Sequence, residues 1–124
     1  MGTGTPTPPT TPPSAALIDR LLAEAAALGE DARDELNSVR GEAGPGRLHA
    51  RRELGTVVAC LGYSVAWLLE QKAVAAGEIA AAAPPELAAT LAGQPPDPER
   101  LPPGVVALGR RVRAFAHRIE RLAG

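Results

Sequence analysis

Aromatic side chains are almost missing from this chain: Tyr63, Trp67 and Phe115 are the only ones, 2% of the residues. A core must therefore come from Leu, Val, Ile and Ala, and Ala brings helix propensity but little buried area. Cysteine is reduced to Cys60, so no intrachain disulfide can form, and its apolar neighbours suit a reducing compartment. Lysine occurs once, at Lys72, and every other base is Arg or His. With abundant Ala, Gly and Pro, this reflects GC-rich coding rather than mechanism. Neither sign of charge dominates: the formal net charge is −1 and the pI about 6.1. That balance gives the whole chain no electrostatic reason to bind nucleic acid or a membrane surface.

Long apolar runs are lacking too. The longest, Thr56 to Leu69, stops at Glu70-Gln71-Lys72, short of the roughly 20 residues that span a bilayer. The N-terminal MGTGTPTPPTTPPS has neither the basic nor the apolar region of a signal peptide. Pro6 stands where a myristoylation signal needs Ser or Thr. A cytoplasmic protein with no membrane partner is expected. Catalytic constellations are absent as well. His49 and His117 are isolated, neither with a second His at ligand spacing on the same face, and no GxSxG, HExxH or paired-Cys motif occurs. Cys60 and His49 on one helix would stand roughly 16 Å apart at 1.5 Å per residue. No enzyme is expected, and no cofactor or metal.

Against these absences stands one dense stretch, Thr56 to Ile79, which holds the Trp, the Tyr, the Cys and the Lys. At about 100° per residue, Leu54, Val57, Val58, Leu61, Val65 and Leu68 share one broad face, which predicts a core-facing helix. Lys72 lies almost on that stripe, to pair with an acid of the first helix or carry its charge outward. A second stripe through Thr56, Cys60, Tyr63, Trp67 and Val74 is rotated by roughly 120–140°. Such a helix must be covered from two directions. Gly55 and Gly62 lie near one line and fit a neighbouring helix backbone at close approach, or a groove for a partner.

The surrounding pattern predicts one all-α domain over residues 14–124, an antiparallel three-helix bundle with a long central helix. Met1 to Pro13, rich in Pro and Thr, cannot bury enough to offset ordering and is expected to be a disordered tail. Ser14 can cap a first helix from about Ala15 to Arg40, whose stripe runs through Leu17, Leu21, Ala25, Leu28, Ala32, Leu36 and Val39. Gly41 to Gly46 is a break; no strand precedes it and no Gly-Lys-Ser/Thr follows, so a nucleotide loop is a poor reading. The second helix is expected from about 47 to 76, closed by Gly77. A short helix with Leu87 and Leu91 inward follows Pro84-Pro85, then a Pro-rich connector. The third helix, about 104–122, carries the stripe Val105, Leu108, Val112, Phe115, Ile119 and Leu122. Nothing alternates with period two, so no sheet is expected.

Charge is unevenly placed: seven acids and three Arg lie between Ser14 and Gly46, six Arg and two acids between Glu99 and Gly124. Arg110, Arg111, Arg113, Arg118 and Arg121 could form a surface for nucleic acid or an acidic partner. The plainer reading sets an acidic first helix beside a basic last one, because no aromatic or binding motif accompanies the arginines. Tyr63, Trp67 and Val74 point away from the core stripe and would leave an exposed aromatic patch on a monomer. They are the expected seam of a homodimer, with Arg110 and Arg111 as further protein-interface candidates. The alternative is that Ala80 to Gly93 folds back over the stripe.

AWLLEQKAVAAGEI, Ala66 to Ile79, resembles the central-helix signature of the RcdA family, regulators of CtrA degradation in alphaproteobacteria. Leu22, Glu24, Ala25, Leu28, Glu30, Ala32 and Arg33 resemble the family's first helix, and Leu101-Pro102-Pro103, Leu108, Arg111, Arg118-Ile119 and Arg121-Leu122 its last. The resemblance implies a dimeric three-helix bundle. It also implies an adaptor that brings response-regulator and other regulatory substrates to the ClpXP protease during cell-cycle control. A small nucleic-acid-associated regulator using the Arg-rich third helix is the alternative.

Overall fold

The computed structural model describes residues 13–41, 44, 46–93 and 96–124. The tail expected over residues 1–13 lies outside these but for Pro13, as does part of the break at 41–46. Among the described residues all regular structure is helical: α1 (Ala15–Arg40), α2 (Gly46–Ala75), α3 (Ala88–Leu91) and α4 (Pro103–Ala123), with a 3₁₀ turn at Pro98–Arg100.

Local chemistry sets the ends. The Leu17 N–H donates to Ser14 Oγ at 3.1 Å, which satisfies one of the free donors of the first turn of α1. α2 stops where Gly77 takes φ +76°, the left-handed conformation that only Gly adopts cheaply. The N–H groups of Gly77 and Glu78 then return to the carbonyls of Val74 and Ala73 at 3.0 and 2.9 Å, closing a Schellman motif. α4 opens on Pro103, whose missing N–H costs nothing at a first helical position.

α1, α2 and α4 each pack against the other two around one aliphatic core. α1 supplies Ile18, Leu21 and Leu28, α2 supplies Leu54, Val57 and Leu68, and α4 supplies Val105, Val112, Phe115 and Ile119. The ion pairs give the directions. Asp19, early in α1, meets Lys72, late in α2, at 3.2 Å. Glu24 and Asp31 meet Arg118 and Arg111 of α4 at 2.7 and 2.9 Å. α1 therefore runs against both other helices, and α2 and α4 run in the same sense. This corrects the expectation of an antiparallel three-helix bundle.

The reason lies in the connector. Two parallel helices require the chain to return along the whole of α2, about 45 Å for its 30 residues. Residues 76–93 and 96–102 lie along that return beside α2. Ala80 to Pro84 lie beside Trp67 and Val74, Glu86 lies near Tyr63, Thr90 near Thr56, and Arg100 comes to Gly46 at the far end. Leu87, fully buried, anchors the strap. Among the described residues α2 is also the one helix long and apolar enough to cross a bilayer, although its longest apolar run is short. A core helix passes the same test, and α2 is wedged between α1 and α4.

Candidate protein-binding face

The wheel of α2 has four sides, and three are covered. Leu54, Leu61 and Lys72 turn to α1, and Glu53 and Cys60 turn to α4. Trp67 and Tyr63 turn to the strap. The fourth side is open. Val58 is 55% exposed and Leu69 52% exposed, with Gly55, Gly62 and Ala66 exposed around them. Val58 was expected in the core stripe; it is excluded because it stands about 100° from Val57, which points to the core centre.

The open side of α2 continues onto α1. Between the two helices runs an apolar groove of about 460 Å³, with Gly29, Leu36 and the Arg33 side chain on one wall and Val58, Gly62 and Val65 on the other. No charged side chain of α2 interrupts the stripe between Arg51 and Glu70. A strip this long without charge is uncommon on a free surface and suits protein contact. Gly29, Gly55 and Gly62 have no atom within 4 Å of where a Cβ would stand, so no neighbouring helix in the bundle requires the two α2 glycines, as had been expected. Each costs roughly 1 kcal/mol of helix stability relative to Ala. Gly29→Ala should therefore raise stability by about 0.5–1 kcal/mol in urea unfolding, since its methyl meets open space; a loss would show that the α1 backbone there is constrained.

The residues expected to form an interface are placed differently. The strap of 80–86 lies over the second stripe, so the patch expected of Tyr63, Trp67 and Val74 is largely covered. Trp67 is 4% exposed, Val74 is half-buried, and Tyr63 stays 40% exposed at the edge of the strap. The Ala-rich strap fits loosely, with cavities of about 380 and 180 Å³ on its two sides. Arg111 is engaged with Asp31, and Arg118 with Glu24, while Arg118 also lies 5.9 Å from the Phe115 ring centroid. Arg113 is drawn inward to Glu53. Arg110 remains exposed on α4, away from Tyr63, Trp67 and Val74.

Among the described residues the most enclosed ion pair joins the buried Glu53 to the half-buried Arg113. Arg113 Nη1 and Nη2 donate to the two Glu53 oxygens at 2.5 and 2.7 Å, and this bonding raises the Arg113 pKa further. Gly109 makes room for the pair, since a Cβ there would strike the Glu53 carboxylate. Cys60 is buried close by, and burial pushes its thiol up. A neutral, enclosed thiol is a poor nucleophile, so native protein should resist thiol reagents that label it rapidly once urea unfolds the chain. Rapid labelling of the folded state would contradict this burial. Among the described residues no group of three His, Cys, Asp or Glu is placed to hold a metal. No protein-family model, curated protein or solved structure matches this chain.

Proposed function

We propose that this chain is a non-enzymatic protein–protein adaptor of the RcdA kind, working as a homodimer in the cytoplasm and off the membrane. Its partners on this reading are regulatory substrates, such as response regulators, and the ClpXP protease to which it delivers them. The observation that carries the adaptor reading is the apolar face of α2 and its groove against α1, with Val58 and Leu69 exposed on it and Arg33 the one charged side chain lining the groove. Exposed aliphatic surface of that extent costs solubility unless a protein covers it. The resemblance of Ala66 to Ile79 to the family signature supplies the kind of partner.

The nucleic-acid alternative draws less support. Three of the five α4 arginines that would carry it, Arg111, Arg113 and Arg118, are paired with Asp31, Glu53 and Glu24. Phosphate binding would have to break those pairs. The test is reconstituted degradation of a labelled response-regulator substrate by ClpXP, with and without this chain. Faster degradation that is lost in Val58→Asp is expected. An unchanged rate at saturating concentration of folded protein would overturn the adaptor reading.

A further inference from the structure

We infer that the cleft between α2, α4 and the end of the strap binds a small organic anion, an apolar body carrying a carboxylate or phosphate head. The cleft lies on a different side of α2 from the open face, and it stands whether or not that face binds protein. Two adjoining chambers of about 490 and 250 Å³ form it, with Glu53, Arg113 and Pro96 common to both. The larger falls within the roughly 300–1,000 Å³ usual for small-ligand pockets.

Helical spacing builds two of its walls. On α4, Val106, Arg110 and Arg113 follow one another at turn spacing and share one face. On α2, His49, Glu53 and Thr56 do the same, with Arg52 beside them. The strap closes the cleft, with Thr90 and Gly93 at the smaller chamber and Pro98 and Leu101 at the larger. This third wall has a set conformation. Leu101 is buried, the 3₁₀ turn before it is capped by Asp97, whose Oδ1 accepts from the Glu99 N–H at 3.0 Å, and Pro96 and Pro98 have fixed φ. It therefore has little freedom to lose when a ligand arrives.

Charge selects the sign of the ligand. Among the lining residues Glu53 is the one acid, set against Arg52, Arg110 and Arg113 with His49 beside them. Glu53 is engaged by two N–H groups of Arg113, whose guanidinium has five, so the remaining donors are left for a ligand. Arg52 and Arg110 are exposed, and among the described residues neither forms an ion pair. Arg111 and Arg118, on the same helix as Arg110, each have an acid of α1. Two cations from different helices thus border a hollow whose larger chamber is walled by Pro96, Pro98, Leu101 and Val106. Exposed arginines alone are a solvated surface, and an apolar hollow alone is loose packing. Together they fit a molecule with both parts, and the guanidinium fork makes its head an oxyanion.

Amide NMR titration of the full chain with naphthoate tests this, because the shifts report where the probe sits and whether each variant is folded. Shifts centred on Arg52, Thr56, Val106 and Arg110 are expected, with a Kd of about 1 mM or tighter, the range for a probe of this size. Naphthyl phosphate should bind at the same place. Naphthamide, which lacks the charge, and inorganic phosphate, which lacks the apolar body, should each bind about fivefold more weakly or worse than the matching probe. Arg110→Ala should weaken naphthoate about five- to tenfold, and Arg121→Ala, the same charge change on α4 outside the cleft, should leave it unchanged. Shifts centred instead on Gly29, Val58 and Gly62 of the α1 and α2 groove would overturn the proposal. So would naphthamide binding as tightly as naphthoate, inorganic phosphate binding as tightly as naphthyl phosphate, or a folded Arg110→Ala protein that binds like the parent.

Discussion

Arg113→Ala is expected to destabilise the protein by about 3–5 kcal/mol, the range for removing one partner of a buried ion pair. The size comes from what is left behind. Glu53 is 4% exposed and gives both its oxygens to Arg113. Without the guanidinium that carboxylate must take up a proton, draw in water or push the helices apart. The site is tight where α4 crosses α2: Gly109 has space for no Cβ beside the carboxylate, and Arg113 Nη1 lies 2.9 Å from that position. Arg113→Lys keeps the charge but loses the two-pronged geometry, so an intermediate loss is expected. Replacing both Glu53 and Arg113 by Met should cost far less than either single truncation, because two apolar side chains strand no charge. Chemical denaturation of the three variants decides it. An Arg113→Ala loss below about 1 kcal/mol would mean that water already reaches Glu53.

That pair was not legible beforehand. Glu53 and Arg113 stand 60 residues apart, and nothing in the local pattern marks Glu53 as an inward residue. It sits between helical positions that point to α1 and to the strap. The other ion pairs were foreshadowed by composition. An acidic first helix and a basic last one are what Asp31 with Arg111 and Glu24 with Arg118 require, and the wheel placed Lys72 where an α1 acid could reach it.

Helix positions were readable because start and stop signals agree with periodicity. The stripe and the Ser14 cap predict Ala15–Arg40, the span of α1, and α2 and α4 begin and end within about two residues of expectation. Direction was harder. Short links of about 2–8 residues force neighbouring helices to alternate, whereas the stretch after Gly77 is far longer and permits a crossover. Its Pro pairs and scattered Ala carry no periodicity to say where it runs. The same gap explains the misplaced interface. Two apolar stripes on α2 correctly implied two covers, but the second cover is the strap. The open side is the arc between the stripes and α1, where small residues and Val58 give a weak signal in sequence.

Trp67→Ala is the second large effect, an expected loss of about 3–5 kcal/mol, as for other buried Trp truncations. Trp67 is 4% exposed and lies between the body of α2 and the strap. The strap there is Ala80 to Ala83, whose methyl groups offer little area, so the indole supplies much of the apolar contact that holds it down. Removing it would join the two flanking cavities beneath the strap. Both are open enough for water to enter, which places the expected cost toward about 3 kcal/mol rather than 5. Tyr63→Ala, at the exposed edge, should cost about 1 kcal/mol, closer to a surface change. The readout must be circular dichroism in urea, because the variant lacks the only Trp. Sedimentation separates burial from a seam: if the strap is what Trp67 holds, stability falls while self-association persists. A Trp67→Ala protein that keeps its stability but loses its dimer would return the seam to the second stripe and place the strap elsewhere.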